Sequence, residues 1–174
     1  MDKYVWLFPV IFIIHDMEEI IGIGIWLRKN KELIEKKFPF MLKTYKDFST
    51  EGFSLAVAEE LLLCSLISLT ALLTDNELVW CLWLGGFTGC TLHFAVHLLQ
   101  AAALRKYIPA AATSIVFLPV SIYIIYKCLC TLNVSTALLI AGMVIGTAAV
   151  AVNLRAAQKL IGWFTRKTGL PPIV

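Results

Sequence analysis

Charge is scarce in this chain of 174 residues: Asp, Glu, Lys and Arg make up 16% of it, against about 25% in soluble domains. Hydrophobic residues reach 59%, and the mean hydropathy is +0.81. That balance excludes a soluble catalytic domain and a nucleic-acid platform, so any chemistry must sit among membrane spans. No Gly-rich phosphate loop appears, and no Ser or Cys stands in a nucleophile motif. The five cysteines, Cys64, Cys81, Cys90, Cys128 and Cys130, form no C-x-x-C redox pair and read as small apolar packing residues, with Cys90 set apart below.

Long apolar runs are what the chain has instead. They fall at about 4–27, 53–74, 78–104, 108–126 and 134–152, each close to the roughly 20 residues that a hydrocarbon core of about 30 Å requires. The expectation is a single all-α domain, an integral membrane bundle of five helices. The first run has only Lys3 among basic residues before it and no small-residue cleavage site, so it reads as a retained helix rather than a signal peptide. Basic residues then set direction. Thirteen of the fifteen lie after spans one, three and five, leaving Lys3 and Lys127 for the other side. The positive-inside rule places the N-terminus outside and the C-terminus in the cytoplasm of a multi-pass cell-membrane protein, a bacterial inner membrane being the expected setting.

Smaller features refine this plan. The connection 28–52 mixes Leu33, Ile34, Phe38, Phe40, Met41, Leu42, Tyr45 and Phe48 with seven Lys and Arg residues, which predicts a helix or broken helix lying at the cytoplasmic interface. Thr74-Asp-Asn-Glu77 has the form of a capping box and would start the third span. Pro9 and Pro119 should bend spans one and four. Gly142, Gly146 and Ala149 form a small-residue stripe expected to serve as a packing seam.

Five of the twelve acids, Asp16, Glu18, Glu19, Glu59 and Glu60, fall inside spans that hold no Lys or Arg at similar depth. Each charge at the bilayer centre costs about 2.5–3.5 kcal/mol even on a lenient scale, so something must neutralise them: protons or metal cations. All three histidines, His15, His93 and His97, are also in spans. His15, Glu18 and Glu19 project to one side of the first helix. His93 and His97, four apart, have the spacing with which two imidazoles share one cation, and Cys90 and Gln100 lie on the same face. At 1.5 Å per residue, these groups and Glu59 and Glu60 all come out roughly 10–18 Å from the cytoplasmic ends of their spans.

This donor set predicts a divalent transition metal, one or two ions. Iron or zinc suits it best, with manganese or nickel as further options; the imidazole content is too high for calcium or magnesium. His15, Glu19, Glu60, His93 and His97 are the expected ligands, and Glu18 and Glu59 the expected general acid or base. Asp16, Cys90 and Gln100 are expected to support the ligands from behind. The leading expectation is a membrane metalloenzyme acting on a lipid or other hydrophobic substrate, with oxidation favoured slightly over hydrolysis. The other is a metal-ion or proton-coupled transporter that uses the same cluster as its transit site, with Ser65, Ser68, Thr70, Ser114 and Ser121 as route-lining candidates. Five helices can close around such a site, so no dimer is required.

The string HDMEE at 15–19, Ala-Glu-Glu at 58–60 and HFAVH at 93–97 together resemble the HXXEE family of small bacterial membrane proteins. The resemblance spans roughly the first three helices. It implies functional roles for His15, Glu18, Glu19, Glu60 with Glu59 beside it, His93 and His97, and an enzymatic character without a named reaction.

Overall fold

The computed structural model of the protein describes residues 1–37, 39 and 45–173, and among these every regular element is a helix. A short α1 (Asp2–Val5) leads into α2 (Leu7–Lys37), followed by α3 (Thr50–Thr74), α4 (Glu77–Leu104), α5 (Ala111–Thr131) and α6 (Thr136–Thr168). Helices α3 to α6 are long and apolar enough to cross a membrane. Helix α2 is longer than α3, but Asp16, Glu18 and Glu19 interrupt its apolar stretch.

Local chemistry explains the boundaries. Pro9 has no N–H to give the Val5 carbonyl, and the chain breaks between α1 and α2 at Trp6, so the bend expected at Pro9 is a helix break one turn earlier. Asn30 takes a non-helical conformation (φ −117°, ψ 15°), splitting the extension of α2 from its apolar part. The break falls inside the basic connection. Leu33 and Ile34 pack inward from it, whereas Phe38, Phe40, Met41, Leu42 and Lys43 lie outside the described residues.

The turn between α3 and α4 differs from the capping box read at Thr74. Thr74 ends α3, its hydroxyl donating to the Thr70 carbonyl, and Asn76 caps α4 by accepting from Leu78 N and Val79 N. Asn is as good a cap as Thr and stands one residue before the helix, which decides the competition. Ser49 and Ser135 cap α3 and α6 in the same way. Helix α6 continues sixteen residues beyond the end of the fifth apolar run at 152, because Arg155, Lys159, Arg166 and Lys167 end the hydrophobicity without ending the helix; Gly169, in the left-handed region at φ 68°, does that.

Helices α4 and α6 form the closest pair. Gly142 and Gly146 lie against Cys81, Leu82 and Gly85 so tightly that a Cβ on either would strike backbone atoms of α4. The Thr147 hydroxyl donates to the Gly85 carbonyl across this seam at 3.0 Å. Gly142 and Gly146 thus do what the stripe predicted, while Ala149 faces a cavity. Around that cavity α2 packs on α3, α3 on α6, α6 on α4, and α5 closes the ring between α4 and α2.

Candidate functional site

The approach of α2 to α4 is set by large side chains at one end and by imidazoles in the middle. At the Leu7 end of α2, Phe8 meets Trp83 and Phe87 with ring centroids 6.0 and 5.4 Å away, and the Trp83 indole donates to the Ser68 hydroxyl of α3. Two helical turns on from Phe8, His15 is fully buried, its ring 5.7 Å from that of His93 and 5.2 Å from that of His97. One ligand atom from each of the three histidines lies within 4.8 Å of the others. His93 and His97 present their Nε2 atoms to each other at 2.8 Å, and the Glu19 carboxylate stands 3.7 Å from His97 Nε2.

A hydrogen-bond chain from α5 fixes how His15 presents itself. The Thr113 hydroxyl donates to Glu18 Oε2 at 2.6 Å, so it is free to accept from His15 Nδ1 at 3.0 Å. With the hydroxyl proton given to Glu18 or to the Ala110 carbonyl at 3.2 Å, Thr113 accepts from Nδ1, the tautomer that leaves a lone pair on Nε2. No described group bonds His15 Nε2 or His97 Nδ1, although both atoms are buried. A buried imidazole nitrogen left without a partner is costly, and a cation is one group that satisfies it.

Glu18 is engaged on the opposite side. Its carboxylate accepts from Ala112 N at 3.3 Å, Thr113 N at 2.7 Å and the Tyr107 hydroxyl. Ala110, at φ 73°, turns the chain into α5 and has no side chain able to cap it, so Glu18 of α2 caps that helix from outside. Desolvation and the Glu18 carboxylate together push the Tyr107 hydroxyl up to about 12. The turn is further tied to α2 by the Trp26 indole, which donates to the Tyr107 carbonyl at 2.7 Å.

The remaining acids divide. Asp16, Glu19 and Glu60 line a cavity of about 850 Å³ together with Cys90, His93, His97 and Gln100. Glu59 and Glu60 both receive the Asn153 side-chain amide of α6, at 3.3 and 3.4 Å, but Glu59 does not line the cavity. Of the expected residues the structure thus brings together His15, His93, His97 and Glu19, and sets Asp16, Glu60, Cys90 and Gln100 around the same cavity. Glu18 is placed behind His15, and Glu59 of α3 is bonded to Asn153 of α6 outside the cavity. Thr113 and Asn153 were not foreseen. Thr113 stands beside Ser114 on a span with no acid or histidine, Asn153 stands just past the fifth apolar run, and only the partner helix reveals what each serves.

The motif order and the meeting of its members agree with a comparison of the whole chain with known families. Residues 6–124 match the family described as protein of unknown function with HXXEE motif. The chain belongs to the HXXEE family. In it the first motif residue is His15, the paired glutamates are Glu18 and Glu19, and the match runs on through α5 to Ile124, taking in Thr113. Helix α6 and its Asn153 lie beyond it. No curated protein and no solved structure matches the chain.

Proposed function

We propose that this HXXEE protein is a five-span, metal-dependent membrane enzyme, with its N-terminus outside and its His/Glu centre in the cytoplasmic half of the bilayer. The observation that carries the reading is the meeting of His15, His93 and His97 within 4.8 Å, with Nε2 of His15 buried and unbonded. The donor set fits a zinc- or iron-type ion: three imidazoles with Glu19 as the carboxylate. Bound there, such an ion supplies Lewis acidity and activates water or dioxygen.

The chain's own residues do the rest. Thr113 and Glu18 hold His15 in one tautomer and strengthen it as a ligand. Proton transfer falls to Asp16 and Glu60, which line the cavity, rather than to Glu18, whose oxygens are engaged by α5, or to Glu59, which does not line it. The apolar walls exclude bulk water and admit a lipid or other hydrophobic substrate. A transit route finds less support. Phe8, Trp83 and Phe87 pack across the end of the bundle beyond the histidines, and Ser68 and Thr70 donate to carbonyls of their own helix.

Elemental analysis of protein purified in mild detergent tests this reading. Near-stoichiometric zinc, iron or manganese is expected in the wild type and loss of it in a His93→Ala, His97→Ala double variant. No metal in the wild type after reconstitution with divalent ions would overturn it.

A further inference from the structure

The cavity is a slot rather than a bowl. Its wall runs from Phe8 to Trp26 along α2, which at 1.5 Å per residue is about 27 Å. A volume of about 850 Å³ spread over that length makes the cavity long and narrow, the shape of an extended chain. The same order holds on every wall: Leu82 and Gly86 lie at the Phe8 end of α4 and Gln100 at the other, while α6 runs from Ile145 to Arg166.

Charge is distributed unevenly along this slot. Among its described lining residues, the half towards Phe8 has none, being built of residues such as Phe12, Leu63, Ile67 and Ile145. The middle carries the carboxylates Asp16, Glu19 and Glu60. The mouth at the other end carries Lys159 and Arg166 of α6, with Asp47 on Arg166. A ligand's anionic group is repelled by the middle and attracted to the mouth, and its apolar part fits only the far half.

We propose that the slot binds a single-chain amphiphile, one alkyl or acyl chain with an anionic head. The head lies at Lys159 and Arg166, and the chain threads past the histidines to Phe8. Lys159 stands six residues below Asn153 on α6, about 9 Å along the axis. The His/Glu centre therefore meets an internal position of the chain and not its head. The proposal names the substrate class for the function proposed above and rests on that reading for the meaning of the centre; the binding itself requires no metal.

Ala149 supplies the test. It lines the slot about 6 Å beyond Asn153, on the side away from the mouth, so a phenylalanine there blocks the chain above the centre and leaves the head site free. Delipidated protein is offered palmitate, lysophosphatidate, hexadecanol or octanoate, and retention is read by native mass spectrometry, with metal stripped and with zinc loaded. One palmitate or lysophosphatidate per chain is expected in the wild type, the more strongly held of the two identifying the head, with hexadecanol held about tenfold more weakly. Lys159→Gln should weaken the anions about threefold, consistent with one exposed ion pair. Ala149→Phe should lose palmitate and lysophosphatidate yet retain octanoate, which also shows that the variant is folded. Ala148→Phe, one residue away and outside the slot, should behave as wild type. Equal retention of palmitate by the wild type and Ala149→Phe, or retention of hexadecanol as strong as that of the anions, would overturn the proposal. Ligand retained by a protein that takes up no metal would leave the slot standing and remove the metalloenzyme; metal taken up without ligand would do the reverse.

Discussion

The two faces of α4 meet their neighbours in opposite ways. Towards α6 it offers Cys81, Leu82 and Gly85 to Gly142 and Gly146, and the backbones touch with no room for a side chain. Towards α2 it offers His93 and His97, and the helices stand apart by the thickness of the imidazoles and Phe94 between them. In hydrocarbon there is no hydrophobic force to bring helices together, so close packing of small residues supplies the attraction. The α4–α6 seam can thus anchor the bundle while the α2–α4 side stays open enough to hold polar groups, with α5 fixing the gap through Thr113 and Glu18.

Substitutions on the two faces should therefore fail differently. Gly146→Leu should be the most damaging, since its first carbon already meets Leu82 O and backbone of Gly85 and Gly86; a loss of about 3 kcal/mol or more is expected, visible as unfolding or aggregation in detergent. Equal thermal stability to wild type would break the contrast between the faces. On the α2 side His93→Ala should spare the seam: the helices remain assembled, metal content falls to background, and the metal-linked part of the thermal stability disappears. Unchanged metal occupancy would remove His93 from the centre.

Thr113→Val is milder and more informative. It leaves His15 Nδ1–H without an acceptor and one Glu18 oxygen short of a donor, which should cost about 1–3 kcal/mol and weaken metal binding about 10- to 100-fold. Thr113→Ser, keeping the hydroxyl, should restore the metal affinity; no rescue would mean that the methyl group and not the hydrogen bond matters. Lys127→Ala sits at the smallest end. Lys127 lies over the rings of Tyr123 and Tyr126 on an exposed part of α5, and its loss should change the melting behaviour by no more than about 0.5 kcal/mol and metal content not at all.

The apolar runs of α3 and α4 map onto the sequence almost residue for residue, because their ends are marked by Ser49, Asn76 and the loss of hydropathy together. Helix α6 outruns its apolar run, since hydropathy reports the membrane and not the helix. His15, His93 and His97 could be grouped from i, i+4 spacing and depth. What spacing could not say was where each glutamate would turn. Glu18 and Glu19 are neighbours on the same face, yet a helix rotates about 100° between them, and the unfilled N-terminus of α5 captures one while His97 receives the other. Thr113 and Asn153 carried no signal by themselves, because a hydroxyl or amide on a helix is as readily bonded to its own backbone.

Glu18 joins two tasks in one carboxylate, and this bears on the order in which the chain is assembled. Helix α2 is synthesised before α4 and α5, carrying Asp16, Glu18, Glu19 and His15 before their partners on those helices exist. Its glutamate waits for the start of α5, more than ninety residues later, and His15 waits for the same threonine. Helix α2 is thus expected to settle into the bilayer late, held near the insertion machinery until α4 and α5 arrive to accept its charges.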